Sequence, residues 1–187
     1  MTMAPRIPLN CRRNGRRIGV VLFAVLAPLL VLLAGGYGGL RINLTPSAPL
    51  GLWRIVKLER LVAVGDRVFV CLPISDAMRE ALRRGYLRKG LCPGHAAPLI
   101  KMVAAGAGQH VAVSGFVEIN GHRLCHSRLM TADGRGRPLA AHPGGIIPEG
   151  YIHLHSDYEG SFDSRYFGPV PVASILGLAE ELITRDP

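Results

Sequence analysis

Apolar positions follow two patterns along the 187 residues: one unbroken block near the front, then a series of short runs. The block is Ile18 to Leu40, 23 residues without a charge. As a helix it would be roughly 34 Å long, enough to cross the hydrocarbon layer of a bilayer. Pro28 is tolerable inside such a helix. A cleaved secretory signal, processed near Ala34–Gly36, is the competing reading of the same block. After it, runs of four to seven apolar or alternating residues are separated by turn formers, which predicts a mainly β domain over 41–187.

The individual runs predict these elements. Arg41 to Thr45 is a short extended stretch, and Pro46-Ser47-Ala48-Pro49-Leu50-Gly51 is a turn, because two prolines and a glycine forbid a regular ladder. Leu52–Leu58 and Arg67–Leu72 are strands, with Val64-Gly65-Asp66 turning between them. Residues 74–98 form an insert with a short helix that Ser75 caps, Met78, Ala81 and Leu82 anchor, and Gly85 ends. Its other faces carry Arg79, Arg83, Arg84, Arg88 and Lys89. These make either a solvated basic face or a contact for anionic lipid or an acidic substrate. Leu99–Ala105, His110–Val113 and Phe116–Leu124 are strands, the last folded into a hairpin at Asn120-Gly121. Residues 126–145 are loop, Tyr151–His155 is a strand, and 172–183 is a final strand or short helix.

Composition sharpens this picture in two ways. Gly and Pro total 37 residues, which favours short strands and turns over long helices. The net charge of +9 is front-loaded: Arg6, Arg12, Arg13, Arg16 and Arg17 supply +5 with no acid among residues 1–17. A basic segment 1–17 before an apolar 18–40 predicts a cytoplasmic N-terminus, with everything after Arg41 across the membrane. No basic run with interleaved aromatics occurs beyond residue 40, so nucleic-acid binding is not indicated. Four cysteines are present, and Cys71, Cys92 and Cys125 lie in the exported part. Cys71 and Cys92 bracket the insert and are the preferred pair, a cross-link worth ~3 kcal/mol in chain entropy. Three unpaired buried thiols are the alternative.

Candidate chemistry centres on two residues. Lys101 is flanked by Leu99, Ile100, Met102 and Val103. If its strand is buried, the ammonium is disfavoured and the neutral amine is a competent general base. On an edge strand the same lysine would simply reach water. Ser47, fixed between two prolines, lies seven residues past Leu40 and so at most ~25 Å beyond it. A serine with a lysine base needs no histidine. His153 and His155, two apart on a strand, would suit a metal with His142, but a polar strand face explains them as well and no metal or cofactor is expected. Asn43-Leu44-Thr45 also fits a glycosylation sequon.

Four stretches in order resemble the boxes of the signal-peptidase superfamily. They are Asn43-Leu44-Thr45-Pro46-Ser47-Ala48-Pro49-Leu50-Gly51-Leu52-Trp53, Gly65-Asp66-Arg67-Val68, Pro98-Leu99-Ile100-Lys101-Met102-Val103, and Gly160-Ser161-Phe162-Asp163-Ser164-Arg165-Tyr166-Phe167-Gly168-Pro169-Val170. The Arg84-Gly85-Tyr86-Leu87 and Cys92-Pro93-Gly94 segments are similar to the conjugative-transfer TraF branch. The resemblance implies a signal-peptidase-like β-sheet domain with a small helical insert, behind one transmembrane helix in the bacterial inner membrane and facing the periplasm. It implies Ser47 as nucleophile, Lys101 as base, Thr45 and the Ser47 backbone N–H as oxyanion donors, and Ser161 orienting the lysine. Asp163 and Arg165 are implied as a supporting ion pair. It further implies a serine endopeptidase that matures a conjugative pilin precursor, by hydrolysis or by cyclisation. A general signal peptidase and a non-catalytic assembly factor are the alternatives. Gly106-Ala107-Gly108-Gln109 departs from the family's Pro-Gly-Asp after the lysine.

Overall fold

A computed structural model describes residues 18, 20–27, 30, 35, 36 and 38–186. The chain divides into two compact units, Met1–Leu40 and Arg41–Pro187. In the first, residues 20–27 are helical. The expected anchor over 18–40 lies partly outside the described residues, as does the basic segment 1–17. Among the described residues no helix is long and apolar enough to cross a membrane.

The second unit is built on strands β1 (Leu40–Asn43), β2 (Leu50–Val56), β3 (Arg67–Val70), β4 (Leu99–Ala105), β5 (His110–Ser114), β6 (Phe116–Ile119), β7 (His122–Arg123), β8 (Gly144–Ile146), β9 (Tyr151–His155), β10 (Val170–Pro171) and β11 (Ile175–Arg185). Seven of them form one sheet in the order β1-β2-β11-β3-β4-β9-β10, and β7-β6-β5-β8 form a second. The 172–183 segment resolves to the long strand β11, which runs antiparallel to both β2 and β3 and so closes the sheet between them. The stretch read as loop over 126–145 contributes β8 at its end. The hairpin sits where expected, with Asn120 at φ 51° and Gly121 at φ 80°, the left-handed pair that a two-residue turn requires.

β4 is an interior strand, paired with β3 on one side and β9 on the other. That placement overturns the edge-strand alternative for Lys101. It also explains the run's composition: an interior strand buried on both faces reads as nearly continuous apolar sequence, here Leu99 to Ala105 with one lysine. The main core lies beneath this strand and gathers Val68, Val70, Val103, Ile152, Leu154 and Val170. A second, small cluster of Ala48, Trp53, Phe69 and Ile100 packs behind the Ser47 turn.

The insert folds as its pattern predicts. Helix α1 (Asp76–Arg84) starts at Ser75, whose hydroxyl accepts from the Met78 N–H, and ends at Gly85 in the left-handed conformation. Met78 and Ala81 are buried in the main core. The basic face is mostly engaged: Arg79 pairs with Asp76, and Arg83 and Arg84 pair with Glu80. Cys71 and Cys92 are joined in a disulfide across a separation of 21 residues, and Cys125 is free and exposed. Tyr86 then ties the insert to the 126–145 segment, donating its hydroxyl to Asp133 at 2.6 Å.

The disulfide closes the insert onto β3, so its loss acts on folding. Replacing Cys71 and Cys92 together by serine is expected to lower the unfolding free energy by about 3 kcal/mol in urea titrations, and added reductant is expected to lower that of the parent to a similar degree.

Candidate functional site

Ser47, Thr45, Lys101 and Ser161 line one cavity of about 550 Å³, which extends past Tyr86 and Asp133 under the insert. The turn carrying Ser47 connects β1 to β2. Its shape follows from Asn43 at the end of β1, whose side chain bonds the backbone at Thr45, Ala48 and Pro49. Trp53, fully buried on β2, donates its indole N–H to Pro49 O at 2.9 Å. Ser156, at the end of β9, donates its hydroxyl to the carbonyl of Ser47 itself at 2.6 Å. The Ser47 hydroxyl lies 3.4 Å from Thr45 Oγ1.

Lys101 is 3% exposed, and its Nζ donates to Ser161 Oγ at 2.6 Å. No hydrogen bond joins Lys101 to Ser47 directly; they meet as walls of the shared cavity. Burial lowers the lysine pKa from 10.5 to about 8; the Asp163 carboxylate opposes that shift and the Arg165 guanidinium adds to it.

Ser161 is in turn held by a buried ion pair. Asp163 caps the short helix α2 (Ser164–Phe167) through the Arg165 N–H, and both its oxygens take the Arg165 guanidinium at 2.8 Å. Both residues are fully buried. The same guanidinium donates to the carbonyls of Ser161 (3.1 Å), Glu159 (3.2 Å) and Arg128 (2.7 Å). Asp163 and Arg165 therefore do more than satisfy each other: they fix the 158–161 loop that presents Ser161. Truncating either partner would strand a charge in the core at a cost of roughly 3–5 kcal/mol.

The histidines of β9 are placed differently from a polar strand face. His153 and His155 are buried, at 2% and 0% exposure, and His153 Nε2 and His155 Nδ1 lack hydrogen-bond partners. Burial lowers the pKa of His153 to about 4 and depresses that of His155 as well. Among the described residues no group of His, Cys, Asp or Glu is arranged to hold a metal ion. After β4, Gln109 Oε1 accepts from the Gly106 N–H at 2.8 Å, so an amide closes the turn where the family pattern has an acid.

Sequence reasoning missed Asn43 and Ser156. Asn43 carries no role of its own in the extended stretch, the sequon or the serine box, although an Asn side chain that bonds the backbone two residues on is a common turn-forming device. Nothing in sequence marks Ser156, whose partner lies 109 residues away.

Residues 12–183 match the family of signal peptidases, peptidase S26. The chain belongs to this family, a class of serine peptidases. Among its relatives, the probable conjugal transfer protein TraF of Sinorhizobium fredii is 54% identical over 186 residues, covering 97% of this chain and 99% of the relative. The conjugal transfer protein TraF of Agrobacterium fabrum is 51% identical, covering 82% and 87%. A plasmid transfer protein TraF of Escherichia coli is 36% identical, covering 84% and 90%. A signal peptidase I of Enterococcus faecalis aligns at a TM-score of 0.39 and 20% identity, over 64% of this chain and 97% of that one.

The buried amine makes a stability prediction. Below pH 8 Lys101 is charged in both folded and unfolded chains, and the fold bears the full cost of burying it. That cost fades as pH rises from 8 towards 10.5. The displacement is worth about 3 kcal/mol at 1.36 kcal/mol per pKa unit. After subtracting the lost bond to Ser161, Lys101→Met is expected to be more stable than the parent by about 1–2 kcal/mol at pH 6. The gap should shrink above pH 8, as followed by urea unfolding at several pH values.

Proposed function

We propose that the chain is a membrane-anchored serine endopeptidase of conjugative transfer, with Ser47 as nucleophile and Lys101 as general base, acting on a pilin precursor. The observation that carries this reading is the water-excluded Lys101 amine, held by Ser161 inside the cavity that Ser47 lines. A neutral lysine has two N–H donors and one lone pair. With one N–H spent on Ser161, the lone pair is free to take the Ser47 proton as the hydroxyl attacks the scissile carbonyl. The resulting ammonium returns that proton to the leaving amine, and an acyl-enzyme remains on Ser47. Water resolves the ester by hydrolysis; the precursor's own terminal amine would resolve it by cyclisation.

The duty in conjugation is supported by the names of the relatives, all transfer proteins of conjugation or plasmids. It is the reason for preferring a pilin precursor over secretory proteins at large. The 23 uncharged residues behind five arginines support an anchor in the inner membrane with the catalytic domain in the periplasm. The membrane lipid and the precursor are then the partners.

The test is mass spectrometry of candidate pilin precursors co-expressed with the chain. The parent is expected to convert one of them to a shorter product, while Ser47→Ala and Lys101→Ala leave it intact. Intact processing by both variants would sink the dyad, and conversion of secretory precursors alone would indicate a general signal peptidase. No conversion by the parent would leave an assembly factor. The base must be neutral, so processing by the parent should rise with pH through an apparent pKa near 8 and level off above it.

A further inference from the structure

One amide of Asn43 has five polar partners. The two hydrogens of its Nδ2 are shared among Thr45 O (2.9 Å), Ala48 O (2.9 Å) and Pro49 O (3.0 Å), and its Oδ1 accepts from the Thr45 N–H (3.1 Å) and from Thr45 Oγ1 (2.7 Å). Three carbonyls around one end and a backbone N–H at the other leave a single orientation for the amide. An amide oxygen only accepts, so the one proton of the Thr45 hydroxyl points at Asn43. What Thr45 turns towards Ser47 Oγ, 3.4 Å away, is lone pairs. In the free protein Thr45 therefore accepts from the nucleophile and has no proton to offer an oxyanion.

We propose that Asn43 is the positioning residue through which Thr45 acts: it fixes the Ser47 turn by its carbonyls and holds the Thr45 proton until the tetrahedral oxyanion draws it away. Ionised acceptors form shorter and stronger hydrogen bonds than neutral ones, so the developing oxyanion outcompetes the amide oxygen. The hydroxyl rotates, one hydrogen bond replaces another, and no proton changes owner. Asn43 keeps its four backbone contacts throughout, so the turn does not loosen while Thr45 switches. Ser156 braces the same turn from the β9 side by holding the Ser47 carbonyl.

The inference rests on the peptidase reading of the site. Its test is a double-mutant cycle on the full-length chain, with the pilin precursor that the parent converts as substrate, for Asn43→Ala, Thr45→Val and both together. Each single variant is expected to lower kcat by about 100-fold, the scale of one lost oxyanion donor, with KM within about threefold. The double variant should fall no more than about threefold below the worse single one, because both changes break the same device. Asn43→Asp, which keeps the acceptor for Thr45 and loses the Nδ2 donor, is the second variant should Asn43→Ala fail to fold, and the same non-additivity with Thr45→Val is expected of it. Losses that multiply in the double variant, or an Asn43→Ala within about threefold of the parent, would overturn the inference. An inactive parent defeats the peptidase reading along with it, whereas multiplying losses in an active parent defeat this inference alone.

Discussion

Burying the Lys101 amine is the constraint around which the domain from Arg41 onward is arranged. A charged ammonium in an interior strand is costly, and each neighbouring feature answers that cost. β3 and β9 cover β4 on both sides. Ser161 supplies the one hydrogen bond the amine makes, at 2.6 Å. The Asp163–Arg165 pair has the double duty of fixing the Ser161 loop and setting the local field, in which the carboxylate favours the ammonium and the guanidinium opposes it. Desolvation is the largest of these influences, so the lysine settles well below its ordinary value.

The other half of the site is organised by hydrogen bonds to backbone. The Ser47 turn has almost no regular ladder of its own, since Pro46 and Pro49 lack N–H groups. Its carbonyls are taken by Asn43 of β1, Trp53 of β2 and Ser156 just past β9. A half-buried turn tied at three points presents its hydroxyl in one place, as the proposed role of Ser47 requires. The insert closes the far end of the cavity and is itself pinned twice: to β3 by the Cys71–Cys92 disulfide, and to the 126–145 segment through Tyr86 and Asp133.

Much of this was legible from sequence because its signals are local. The insert helix was readable from Ser75, its apolar spacing and Gly85, and the β6–β7 hairpin from Asn120-Gly121. Leu99–Ala105 announced a strand with an anomalous lysine, but whether that strand was interior or at an edge depends on pairing with residues about thirty and about fifty positions away. The same limit hid the burial of His153 and His155, which reads as polar alternation until β9 is covered, and the bond from Ser156 to Ser47. Asn43 was visible at the head of the serine box, but its turn-forming role was not, since the carbonyls it holds at Ala48 and Pro49 are brought to it only by the folded turn. The helix of Ser164–Phe167 is a single turn, too short for any periodicity to mark, and only its Asp163 cap distinguishes it.

To serve as the proposed base, Lys101 must lose its proton near pH 8 and not near 10.5, and the amine can be watched directly. The chain has three lysines, Lys57, Lys89 and Lys101, so carbon-labelled ε-methylene resonances are few, and Lys101→Met assigns the one that matters. Followed by NMR from pH 6 to 12, the Lys101 signal is expected to titrate with a midpoint near 8. A Lys101 midpoint at or above 10.5 would contradict the account, because the residue would then be an ammonium throughout the range in which a base is needed.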